Sequence, residues 1–279
     1  MRIISSKYLL LILLLLSSSL NFANSLTSGC SSELSPQETR QKLWRVNLTG
    51  IGIITAWGVA NWDYFSTSPQ SKSEGWFQND TQYGGADKLG HLYSSYVITH
   101  GLSNLYDSWC INKNDAAVYG ALSSLAIVAF IEIGDSFSEF GFSKEDMIAN
   151  GIGIIYGYFS YKDLRLANTL DIRLEYKPNT ETFGDFATDY ENSKYLLALK
   201  LNGFDFSHSS FLKHIELHAG YYTRGFSEPD ATKERVVFVG IGLNLTDFFR
   251  RHSYNKTATV LKYYQIPGTS LNAEKDLNE

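Results

Sequence analysis

The chain has 279 residues with a formal charge of -5, carried by 29 acidic and 24 basic side chains. A mildly acidic chain of this kind argues against nucleic acid as a partner. Its length suits one large domain or two smaller parts.

In chain order, Arg2 and Lys7 precede an apolar run from Tyr8 to Leu16 and then small residues, the plan of a secretion signal rather than of a membrane span. Two exits are open. Ala23-Asn24-Ser25 fits ordinary cleavage, with residues 1–25 removed. Leu26-Thr27-Ser28-Gly29-Cys30 resembles a lipoprotein box, which would make Cys30 the lipidated first residue. Ordinary cleavage moves the charge from -5 to -7, because Arg2 and Lys7 leave with the signal. The only other cysteine is Cys110; if Cys30 is not acylated, the two are able to pair in an oxidising compartment. Export of either kind places the chain in a bacterial cell envelope, on the periplasmic side and associated with a membrane.

After a polar linker at 26–43, helical periodicity over 44–166 predicts four apolar helices. They run from about Trp44 to Tyr64, Asp87 to Tyr106, Ala116 to Ile133 and Glu145 to Tyr161. The third is nearly free of charge until Glu132, which calls for burial in lipid or in protein. Glycines cluster at Gly50, Gly52 and Gly58 and at Gly151, Gly153 and Gly157; each weakens a helix by about 1 kcal/mol relative to Ala, so close packing is the expected compensation.

From 167 to 265 the period becomes two. Strands are expected at Leu170–Tyr176, Tyr195–Leu201, Lys213–Tyr222 and Arg235–Leu245, with a further candidate at Thr257–Tyr264. Five strands are too few for a membrane barrel, and a small antiparallel sheet is expected instead. The tail at 266–279 reads as disordered. The predicted class is α+β, an apolar four-helix bundle followed by a small antiparallel sheet.

Short loops make the last three helices antiparallel neighbours, so Asp87 and His91, Glu132 and Asp135, and Asp146 and Asn150 all belong to one end of the bundle. Asp87/His91 and Asp146/Asn150 are i,i+4 pairs, each sharing a helix face. Asp87 and Asp146 also sit where caps are expected, but His91 and Glu132 lie a turn inside apolar segments, where ionisable groups are costly. A shared polar site is the reading. His91, Glu132, Asp135 and Asp146 have the donor types for a divalent metal, with Asp87 and Asn150 beside them; Glu132 and His91 are alternatively a metal-free acid/base pair. A non-enzymatic role, structural or in binding a membrane lipid or an envelope partner, leads over a hydrolase or transferase acting on a lipid or cell-wall precursor, because no motif of a named enzyme class is present. His214, Glu216 and His218 alternate along a strand and are expected on its solvated face.

Trp76-Phe77, Asp80, the run Gly84-Gly85-Ala86-Asp87-Lys88-Leu89-Gly90-His91, then Glu132, Asp135 and the segment from Gly141 to Gly151 resemble the YfiM-like predicted periplasmic lipoprotein family. That likeness runs from about Trp62 to Tyr176 and on to Gly220-Tyr221-Tyr222. A more distant one is to VanZ-like membrane proteins, which share an Asp-Lys-x-x-His start, a later Glu and an Asp-x-x-x-Asn-x-x-Gly helix, here Asp87, Lys88, His91, Glu132, Asp146, Asn150 and Gly153, but lack a strand-rich tail. Both imply an envelope location; neither implies a reaction.

Overall fold

Ser35 starts the first helix. Its hydroxyl accepts from the Glu38 backbone N–H at 3.3 Å while the Glu38 carboxylate accepts from the Ser35 N–H at 3.0 Å, a capping box with Pro36 at the first helical position. Helix α1 therefore spans Pro36–Asn61 and takes in part of the expected linker. The computed structural model describes residues 34–177, 188–205, 211–227 and 230–278.

Gly84 and Gly85, both with left-handed backbone (φ 62° and 88°), turn the chain into α2, Ala86–Ser108. Asn112 caps α3, Lys113–Ser136, and Ser143 caps α4, Lys144–Lys162, each accepting from the N–H three residues on. Helix α2 is the hub, packing on α3, α4 and the sheet. Small residues permit this. A Cβ on Gly153 would lie 2.1 Å from the Leu92 carbonyl oxygen, and one on Gly120 would meet Ser103 at the same distance. Gly50, Gly58 and Gly157 are also closed in, whereas Gly52 and Gly151 face open space. By length and composition α3 is the one described helix apolar enough to cross a membrane, and 44% of that apolar window is buried.

A short helix α5, Leu164–Thr169, leads into β1, Leu170–Tyr176. Strands β2 (Ser193–Lys200), β3 (Ile215–Arg224) and β4 (Glu234–Leu243) follow, then α6 (Leu245–Arg251), α7 (Asn255–Leu261) and β5 (Ser270–Asp276). The sheet is antiparallel throughout, in the order β1-β2-β3-β4-β5. The α+β class, helices before sheet, is thus the observed one.

Two expectations fail here. The candidate strand at Thr257–Tyr264 is largely helix α7, because Ala258 and Leu261 are buried at helical spacing and override the β preference of Thr and Val. The tail expected to be disordered supplies β5, paired with β4 from Ser270 opposite Gly242 to Asp276 opposite Val236. Its polar composition is that of an edge strand, stabilised by backbone bonds rather than by burial.

The sheet also curls. Leu174 donates its N–H to the Tyr263 carbonyl (2.9 Å) and accepts from the Gln265 N–H (3.0 Å), so residues 263–265 lie on the free edge of β1. Five residues later the chain enters β5 at the other edge. Laid flat, those edges would be about 24 Å apart; five residues reach about 18 Å.

Candidate functional site

The capped helix ends put the predicted polar residues within reach of one another. Lys88, almost fully buried, extends its ammonium to Glu74 (2.5 Å), Asp87 (2.7 Å) and Asp146 (2.7 Å). The His91 ring lies between two carboxylates, with Nδ1 3.5 Å from Glu132 and Nε2 3.8 Å from Asp146. Asn150 donates to Glu132 at 3.3 Å and is itself held by the Ser95 hydroxyl at 2.5 Å. Glu132 and Asp146 each belong to a different helix, as the antiparallel argument requires.

Two sets of three ligand atoms lie within 4.8 Å of one another, His91/Glu132/Asp146 and Glu74/Asp87/Asp146. Asp135 is in neither set, though it lines the same cavity and engages Tyr64. Sequence reasoning placed neither Lys88 nor Glu74 in the cluster; Lys88 entered only through the family likeness, and Glu74 not at all. Glu74 stands in the long loop before α2, where no periodicity reports on a side chain's direction, and only the Lys88 contact reveals it.

The cluster forms part of the wall of a cavity of about 340 Å³. Most of the rest is apolar or aromatic, including Ile54, Trp62, Tyr93, Ile98, Ile131, Leu174 and Tyr195. Four carboxyl groups, Glu74, Asp87, Glu132 and Asp146, face one lysine and one imidazole, and a fifth, Asp135, lines the same cavity. The excess has an electrostatic consequence. Burial, reinforced by the Asp146 charge, pushes Glu132 up to about 9 and Glu74 up to about 8, the latter against Lys88, and burial pushes Asp135 up to about 7. Asp146 goes the other way: burial would raise it, but His91 and Lys88 together hold it below the usual carboxylate range.

A second polar group fills the inside of the curled sheet. Arg173 grips Glu216 with both terminal nitrogens (2.7 and 3.0 Å) and reaches Asp171 (3.0 Å) and Gln265 (2.9 Å). Lys200 pairs with Asp171 at 2.7 Å, and His218 Nε2 lies 2.9 Å from Glu216. The face expected to be solvated is therefore the interior: Glu216 is 0% and His218 3% exposed, while His214 sits in the turn before the strand. Alternation marks two unlike faces, and here the charged one is covered because its charges satisfy each other.

Elsewhere His100 bridges Tyr263 (2.9 Å) and Ser160 (2.8 Å), and burial with the Lys262 charge lowers it to about 3, which keeps the ring neutral. The pairing expected of Cys30 with Cys110 falls outside the described residues because Cys30 does, as does the signal.

Fold and site together define an α+β protein whose helical end holds an acid-rich, cavity-facing cluster. Residues 73–162, about a third of the chain, match the family described as predicted periplasmic lipoprotein (DUF2279). Every residue of the cluster lies inside that segment and the whole sheet lies outside it. The description agrees with the periplasmic, membrane-associated placement in the envelope. No curated protein and no solved structure matches the chain.

Proposed function

We propose that the chain is a non-enzymatic envelope protein that binds an amphipathic, lipid-like molecule in the bundle cavity and holds its polar head through a divalent cation. One observation carries the reading: an imidazole flanked by two carboxylates on different helices faces a cavity whose remaining wall is mostly apolar. His91, Glu132 and Asp146 supply the nitrogen and oxygen donors that zinc or manganese takes, and a cation there would offset the surplus of carboxyl groups. Ile98, Ile131 and Leu174 offer an apolar wall for a hydrocarbon tail. The likeness of the Asp87-Lys88-x-x-His91 motif to VanZ-like membrane proteins supports a site that works beside a membrane.

The test is stoichiometric metal and co-purifying lipid in the isolated protein, both by mass spectrometry. Retention of neither, with no heat of binding for zinc or manganese, would overturn the reading.

A second reading is hydrolysis or group transfer on the same class of molecule, and the specific observation for it is the 3.5 Å approach of His91 to the buried Glu132. Glu132→Gln separates the two. Under the enzymatic reading, turnover of a lipid or cell-wall precursor disappears while abundance in the envelope is unchanged.

Attachment is tested at the same time. A thiol joined in a disulfide does not carry a thioether-linked lipid, so the mass of the mature N-terminus decides between pairing and acylation at Cys30.

A further inference from the structure

The enclosed face of the curled sheet holds the charged group beside the apolar cluster Leu196, Tyr222, Val236 and Phe238, and yet the outward face is apolar too, carrying Leu217, Val237, Val239, Ile241, Leu243 and Leu271. These side chains are open: Leu271 is 85%, Val239 62% and Ile241 56% exposed. The register sets Leu217 opposite Ile241, and Ile241 opposite Leu271, so the patch is continuous across three strands.

The helices repeat the pattern. On α3 and α4, Leu122 and Ile155 are each 58% exposed, whereas Ser124, Glu132, Asn150 and Ser160 are covered. Water does not favour such an arrangement in either half, and hydrocarbon favours it in both. A protein partner would explain one patch. A bilayer explains the outward surface of two differently built halves.

Charge complementarity points the same way. Leu243 ends the apolar face, and Asn244 caps α6 directly after it. Helices α6 and α7 and their connection expose Arg250, Arg251 and Lys256 with Phe248 and Tyr254 among them. Basic and aromatic side chains at the border of an apolar surface suit the anionic headgroup layer.

We propose that the outward face of β3, β4 and β5 is covered by the hydrocarbon of an anionic lipid bilayer, with α6 and α7 at its headgroups. From Val237 to Leu243 the apolar band is about 20 Å along the strand, short of the about 30 Å that a crossing requires. The sheet rests in the membrane by its flank. This contact is independent of the cavity and of what the cavity binds.

The test is flotation of the full chain with vesicles of phosphatidylcholine alone or with about one quarter phosphatidylglycerol. The wild type should float, more strongly with the anionic vesicles. Val239→Asp with Ile241→Asp should lower partitioning about tenfold or more with an unchanged melting curve by circular dichroism. Arg250→Glu with Arg251→Glu should reduce flotation on the anionic vesicles alone. If the Asp pair fails to fold, Leu271→Asp on the edge strand takes its place. The proposal is overturned if the wild type stays in the soluble fraction with both vesicles, if the folded Asp variant floats as well as the wild type, or if the face instead holds a dimer that the Asp pair splits. An Arg variant that floats equally on both vesicles removes the headgroup assignment.

Discussion

The two polar groups of this protein are built from the same side chains and end in opposite states. Inside the sheet, Asp171 and Glu216 meet Arg173, Lys200 and His218, so charges balance. At the bundle end, four carboxyl groups meet Lys88 and His91 with Asp135 lining the same cavity, and the cluster opens on that cavity. Burial acts on both. In the sheet Arg173 and His218 hold Glu216 below its usual range against burial, whereas in the bundle Glu132 is pushed up to about 9. A balanced buried group behaves as a strut. An unbalanced one that faces a cavity is where we propose that positive charge binds, and that difference, more than residue type, marks the candidate site.

The largest effect that could break this comparison is Arg173→Met. It leaves Asp171 and Glu216 buried with too little positive charge, and should cost about 3–5 kcal/mol, read by urea denaturation or by loss of the protein from the envelope fraction. Retained stability would mean that the sheet group is not a strut.

The two histidines sharpen it. His218→Ala, in the covered group, should cost about 1–3 kcal/mol and leave metal binding in the cavity unchanged. His91→Ala, with a partly open ring and longer contacts, should cost under about 1 kcal/mol yet weaken zinc or manganese binding by at least about tenfold, measured by titration calorimetry.

The smallest effect is on pH dependence, and its sign differs between the groups. Glu132 and Glu74 have raised folded pKa values, so the unfolded chain gives up these protons first. Stability from them is greatest below about 4.5 and is lost as pH rises toward about 9. Glu216 is depressed, so its contribution is present at neutral pH and is lost as pH falls through its folded value. Thermal melting should therefore decline on the alkaline side in Glu132-containing protein, and Glu132→Gln should flatten that decline without altering the acid limb. Added zinc or manganese should flatten it in the wild type too.

Much of the bundle site was legible. Asp87, His91, Glu132, Asp146 and Asn150 meet because three helices with short connections must alternate in direction, and helical spacing places each side chain along its rod. Glu74 was not legible, since its loop has no period and its direction follows from Lys88. The start of α1 was written in Ser35-Pro36-Gln37-Glu38, a cap that outranks the polar composition around it. Strand β5 was not, because an edge strand is recruited by the unpaired backbone of β4 rather than by its own side chains.

By itself, the sequence determined that four helices precede a strand-rich part, the convergence of the acidic and imidazole groups, and the alternation that gives the strands two unlike faces. Only the tertiary structure decided which face turns inward. A period of two says that neighbouring side chains point apart, not where the water or the lipid lies; that choice came from curling the sheet until Arg173, Glu216, Lys200 and Asp171 neutralised one another under cover.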